Sequence, residues 1–186
     1  EKYLATAEDI LQRLASRAPN KIASYATYLL GNIAFFRNNY EDAEAYYKEY
    51  LEKARGRLDQ ADGYIALGYT YENRFFWTSQ KKEDQVWLDR ALESYKRAEN
   101  LTTGTAQCYL AMLSCARLYE LRGNEKRARE LYERIERERQ LEPITLSPDA
   151  IRNPLAAEIF DLENSSRMFT FARTAQARRE RLEAGQ

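Results

Sequence analysis

Histidine is absent from this chain of 186 residues, and no other gap in the composition removes so much chemistry. The commonest general base, the Ser/His and Cys/His nucleophile pairs and most zinc sites all need an imidazole. Cysteine is nearly as scarce. The two present, Cys108 and Cys115, fall seven residues apart in one helical segment, which separates their Cα atoms by about 10 Å and excludes a disulfide between them; both read as small buried apolar residues. Net charge is also missing, since 29 Lys and Arg are offset by 29 Asp and Glu. No global field attracts nucleic acid or an anionic membrane, and no nucleic-acid partner is expected. No apolar run approaches the roughly 18 residues of a membrane span. No signal peptide is visible, and the chain opens on Glu1, which leaves a leader or lipid anchor upstream open. Gly-rich phosphate loops, Cys-x-x-Cys pairs and nucleophile elbows are lacking too, so neither a cofactor nor an enzymatic reaction is expected.

What is present is a core and a period. Hydrophobic residues make up 44% of the chain and charged residues 31%, the balance of an ordinary globular domain. Every periodic segment follows the 3.6 spacing of a helix and none alternates as a strand does, which predicts about eight helices and no sheet. Self-similarity then groups the helices. One unit carries Thr27, Leu30-Gly31, Ala34, then Ala43 and Tyr47. A second carries Tyr64, Leu67-Gly68, Tyr71, then Ala91 and Tyr95, and a third Met112, Cys115-Ala116, Tyr119, then Ala128 and Tyr132. Gly31, Gly68 and Ala116 are small where the two helices of a hairpin must approach closely. The alanines serve the same purpose from the second helix, and the tyrosines add bulk one turn later. Asn38-Asn39 and Gly123-Asn124 stand where hairpins reverse, and both residue types tolerate left-handed backbone.

On these residues the chain resembles the tetratricopeptide repeat family, specifically bacterial members of it. The resemblance implies an all-α, right-handed superhelix of helix hairpins in a single domain. Residues 1–20 then form a half repeat or N-terminal cap, with Leu4, Ile10, Leu11 and Leu14 on one face. Repeats follow at 22–57, 60–101 and 105–140. Residues 141–153, interrupted by Pro143 and Pro148, are a connector, and 154–184 form a capping C-terminal helix whose apolar half docks on the third repeat. The family's concave groove is lined by first helices, which places Tyr25, Tyr28, Asn32, Phe35 and Phe36 on it from the first unit. Asp62, Ile65, Tyr69, Glu72 and Asn73 follow from the second, and Leu110, Leu113, Arg117, Glu120 and Leu121 from the third. Of the positions that clamp a C-terminal carboxylate in some members, only Asn32 matches, which argues against that ligand.

The second repeat is longer than the first. Leu30 to Ala43 spans 13 residues but Leu67 to Ala91 spans 24, and the extra segment holds Phe75-Phe76-Trp77 and Val86-Trp87. It is expected to lengthen both helices of that hairpin by about a turn and a half. Successive helical residues point about 100° apart, so the three aromatics cannot all face one partner. They fold back beside Phe36 and Tyr69, present Phe76 and Trp77 to a second protein, or are buried by Val86 and Trp87. The tail holds the one local basic cluster, Arg173, Arg178, Arg179 and Arg181. These features point to a scaffold or adaptor that binds another protein or peptide through the groove or the extended second hairpin, with self-association as a further outcome. The alternatives are an accessory subunit of bacterial cell-envelope transport or assembly, with or without a lipid anchor, and a small-molecule carrier or an enzyme with an unusual site; the compartment, periplasm and cell envelope or cytoplasm, stays open.

Overall fold

A computed structural model describes residues 2–77, 84–141 and 175–184. Among these there are eight helices and no strand: α1 (Lys2–Arg17), α2 (Asn20–Phe36), α3 (Tyr40–Lys53), α4 (Arg57–Trp77), α5 (Gln85–Leu101), α6 (Ala106–Leu121), α7 (Glu125–Leu141) and α8 (175–183). They fall into two compact units, Glu1–Thr102 with α1 to α5 and Thr103–Gln186 with α6 to α8. The expected connector, and the start of the C-terminal helix with its apolar half, lie outside the described residues.

In the first unit each helix packs on the next in sequence, and residue pairing makes the neighbours antiparallel. Phe35 meets Tyr40 while Tyr28 meets Tyr50 across α2 and α3, and Tyr71 meets Trp87 while Tyr69 meets Tyr95 across α4 and α5. Small residues set the closeness of the approach. A Cβ on Gly31 would lie 2.6 Å from Cε1 of Tyr47, and one on Gly68 would lie 2.4 Å from Cε1 of Tyr95. The second helix therefore sets a tyrosine ring directly against the first helix's backbone. Ala43, Ala91 and Ala128 are all fully buried, as helix-contact alanines must be.

The turns repeat as closely as the packing. At the end of α2, Asn38 adopts φ 59°, and the N–H groups of Asn38 and Asn39 donate to the carbonyls of Phe35 and Ala34. At the end of α6, Gly123 adopts φ 70°, and the N–H groups of Gly123 and Asn124 donate to Glu120 and Tyr119. Both are Schellman closures, which satisfy carbonyls a helix end would leave bare. In each the following asparagine then caps the next helix, Asn39 accepting from Asp42 N–H and Asn124 from Arg127 N–H. A third left-handed residue, Gly104 at φ 76°, precedes Thr105, whose hydroxyl caps α6 by accepting from Cys108 N–H at 3.2 Å.

The long second hairpin lengthens both of its helices. Helix α4 has 21 residues against 17 in α2 and 16 in α6, so it gains about one turn. Helix α5 has 17 residues, three more than α3 but no more than α7. Past Leu67, α4 runs four residues further than α2 runs past Leu30, and α5 starts three residues further ahead of Ala91 than α3 starts ahead of Ala43. Both helices therefore gain about one turn, less than the expected turn and a half, and residues 78–83 between them lie outside the described part. Helix α1 packs on α2, yet Leu4, Ile10 and Leu14 remain exposed and Leu11 half-buried. Cys108 and Cys115 are both buried.

Candidate interaction surfaces

Two groups of aromatic side chains occupy the first unit, and each gathers residues that the repeat register singled out. The first is a tyrosine ladder on α2. Tyr25 and Tyr28 stand one turn apart on one face, with their rings stacked 6.2 Å apart and 16° from parallel. Tyr28 continues inward to Tyr50 at 5.0 Å and Tyr47 at 5.6 Å, both of α3. Burial, then the nearby Asp62 carboxylate and Tyr25, push the Tyr28 hydroxyl up to about 12. Tyr47 and Tyr50 are pushed up as well, burial leading in both. The Tyr47 hydroxyl donates to Oδ1 of Asn32 at 2.7 Å, so one polar edge of Asn32 serves the hairpin. Tyr25 is 59% exposed and, with Tyr50, lines a cavity of about 560 Å³ whose rim includes Lys21, Glu52, Arg55 and Asp59.

The second group lies where α2, α3 and α4 bring their ends together. Phe36 meets Phe35 edge-on at 6.0 Å, Phe35 meets Tyr40 at 5.8 Å, and Tyr40 meets Trp77 at 6.4 Å. Four rings from three helices thus form one chain. Its outer members stay in water, Phe36 being 81% and Trp77 70% exposed. Phe75 is buried behind them, and Phe76, in edge contact with it at 5.4 Å, is 44% exposed. Arg74 fastens α4 to α3 here, reaching Glu41 at 2.8 Å and Glu44 at 3.5 Å. Burial alone would raise the Glu44 carboxyl, but hydrogen bonds from Lys48 and Tyr71, with Lys48 and Arg90 close by, outweigh it and hold Glu44 below its ordinary range.

No protein-family model matches the chain, and no curated protein matches it in sequence.

The three aromatics of the inserted segment therefore part company: one is core and two are surface. Trp87 leaves Phe76 and Trp77 exposed. It stacks on Tyr71 at 6.1 Å, with the Arg74 guanidinium 3.9 Å from its ring centre and Arg90 at 4.8 Å, while Val86 is exposed. Trp77 is linked to Phe36 through Tyr40 and Phe35, while Tyr69 is half-buried against Tyr95 at 5.6 Å. Two positions assigned to the groove wall, Ile65 and Glu72, are buried instead, Glu72 because it accepts the Tyr95 hydroxyl at 3.0 Å. Arg117 is half-buried on α6 of the second unit, where Glu120 accepts the Tyr132 hydroxyl at 2.8 Å.

The hydroxyls of the hairpin tyrosines share one fate. Tyr47, Tyr95 and Tyr132 each bury a ring in their hairpin and donate the hydroxyl to a polar side chain of its first helix, Asn32, Glu72 or Glu120. The signal was available in the acid four residues beyond Gly68 and Ala116, which is one turn along the same face. Among the described residues no group of three or more His, Cys, Asp or Glu is set to hold a metal ion, and no helix is long and apolar enough to cross a membrane.

Proposed function

We propose that the chain is a non-catalytic binding module of tetratricopeptide type, a right-handed superhelix of hairpins closed by its C-terminal helix, which holds a partner polypeptide on its aromatic surface. The family reading is supported by the recurrence of Gly under Tyr at Gly31/Tyr47 and Gly68/Tyr95, by the fully buried alanines, and by the matched Asn38 and Gly123 turns. The binding reading rests on one observation, the ring chain from Phe36 to Trp77, whose two ends are left in water. Exposed aromatics clustered in this way are the anchors that protein interfaces favour, because they bury large area at small cost in side-chain entropy. Tyr25 and Tyr28 extend the surface along α2 with hydroxyl-bearing rings, suited to a peptide that needs both apolar cover and hydrogen bonds.

The test is capture of partners from the source organism by the full chain, by Phe36→Ser and by the double variant Phe76→Ser/Trp77→Ser, with sedimentation run in parallel for self-association. Both variants are expected to keep the wild-type helical circular dichroism and to lose a captured species or an oligomer. Unaltered capture and sedimentation would return these rings to local packing.

A further inference from the structure

We infer that Glu120, Tyr132 and Glu136 form a receptor site for an arginine-bearing helix, and that α8 is a displaceable intramolecular occupant of it. The chemistry accepted is visible in what sits there. Arg178 of α8 reaches Oε2 of Glu120 at 2.9 Å, while Oε1 of the same carboxylate accepts the Tyr132 hydroxyl at 2.8 Å. Arg179 grips Glu136 with two nitrogens, Nε at 3.0 Å and Nη2 at 3.3 Å. The fork of a guanidinium matches a carboxylate in this paired geometry, which an ammonium does not reproduce. Tyr132 fixes the Glu120 carboxylate from behind, so the acceptor is positioned before the arginine arrives. Glu183 holds Arg179 from its own helix at 2.8 Å, which presents that guanidinium ready oriented.

The described part of the occupant is displaceable because it is mostly exposed, with Leu182 half-buried and charged contacts to α6 and α7. Ala175 is the sole buried residue of 175–184, and Gln176, Ala177, Glu180, Arg181, Glu183 and Ala184 are exposed. The ion pairs themselves keep between 23% and 32% of their side-chain surface in water, where screening leaves exposed pairs only modest strength. An element with few buried apolar contacts lies at the low end of local stability. A helix of a partner polypeptide with two adjacent arginines offers the same groups and competes for the same carboxylates. The site belongs to the second unit and stands whether or not the aromatic surface of the first unit binds anything.

The experiment uses the full chain in two forms, wild type and Arg178→Glu/Arg179→Glu, and a synthetic peptide of residues 172–186 as the probe. Nuclear magnetic resonance is expected to show peptide-dependent shifts on α6 and α7 around Glu120, Tyr132 and Glu136 in the variant. In the wild type the tethered helix competes at high effective concentration, so the same shifts need at least about tenfold more peptide. A peptide with both arginines replaced by glutamine leaves the variant's spectrum unchanged. Absence of shifts in the variant, equal response of the two chains, or binding of the glutamine peptide would overturn the inference. Should the double reversal unfold α6 and α7, hydrogen exchange on the wild type decides. Raising salt from about 0.05 M to about 1 M should cut protection of 175–183 about tenfold and leave α6 and α7 nearly unchanged, and salt-insensitive protection refutes the latch.

Discussion

Gly68→Ala sets two large effects against each other. Alanine in a helix interior is favoured over glycine by about 1 kcal/mol, so a substitution judged by propensity alone stabilises α4. The neighbour reverses that. The added Cβ would stand 2.4 Å from Cε1 and 2.7 Å from Cδ1 and Cζ of Tyr95, and ordinary carbon contact begins at about 3.5 Å. The ring must retreat by roughly 1 Å, yet it is fully buried, leans on Tyr69 and is tied through its hydroxyl to the buried Glu72. Overpacking costs about 1–3 kcal/mol, and loosening a hydrogen bond to a buried carboxylate adds about 1–3 kcal/mol. Less the propensity gain of about 1 kcal/mol, net destabilisation is about 1–5 kcal/mol. With a urea slope of about 1–3 kcal/mol per molar, the midpoint followed by circular dichroism should fall by about 1–2 M. Pairing the change with Tyr95→Leu, which frees the space, should recover more than about 1 kcal/mol of the sum of the single effects. A midpoint for Gly68→Ala at or above that of the wild type would mean that Tyr95 does not set the helix spacing.

The turn after α6 gives a contrasting case: Gly123 has φ 70° with open space around it, so Gly123→Ala should cost about 1 kcal/mol from backbone strain alone. Gly123→Asn should lie near neutral in the same urea assay, because Asn38 already holds that conformation at φ 59°. The alkaline limb tests the tyrosine ladder. Folding raises Tyr28 to about 12 from an ordinary value of about 10, so its contribution to stability is complete below about pH 10 and is lost as pH climbs through about 12. Tyr28→Phe should remove up to about 1.4 kcal/mol per pH unit from the slope in that window, and identical alkaline slopes for variant and wild type would contradict the burial of Tyr28.

The parts of the fold that could be read in advance are those a residue imposes by itself. Gly31 and Gly68 announce close approach because nothing smaller exists, and Asn38 and Gly123 announce a reversal because few other residues accept positive φ. Both predictions hold in the structure. What could not be read depends on partners distant in sequence. Trp87 had aromatics on offer in Phe75, Phe76 and Trp77, but Tyr71 and Arg74 lie one turn apart on α4 and give it a ring to stack on and a cation to face. Glu72 is hinted at only by its recurrence as Glu120 in the next hairpin; nothing in its own neighbourhood says that Tyr95 will bury it. The candidate surface was half legible in the same sense. Phe36, Phe76 and Trp77 stand out as aromatics with no place in a repeat core, but the joint between Phe35 and Trp77 is Tyr40, a residue outside the repeat signature.

That joint follows from a single exchange in the repeated hydroxyl contact. Four residues beyond the small residue of the first helix, the second and third hairpins carry Glu72 and Glu120, each accepting the hydroxyl of its buried tyrosine. The first hairpin carries Phe35 there instead. Phenylalanine cannot accept a hydrogen bond, so Tyr47 turns its hydroxyl one turn back to Asn32, and the position gained by Phe35 is apolar. Phe35 then meets Tyr40 and Phe36, which starts the ring chain that ends on Trp77. In the third hairpin the retained carboxylate does the opposite: its second oxygen, left over after Tyr132, takes Arg178. One position of the hairpin thus commits the first to aromatic contact and the third to a charged one. Phe35→Glu should accordingly draw Tyr47 onto the new carboxylate and weaken whatever the ring chain binds, while Asn32→Ala, harmful to the wild type, becomes nearly silent in that background. Additive effects of the two changes on the urea midpoint would show that Tyr47 never made the switch.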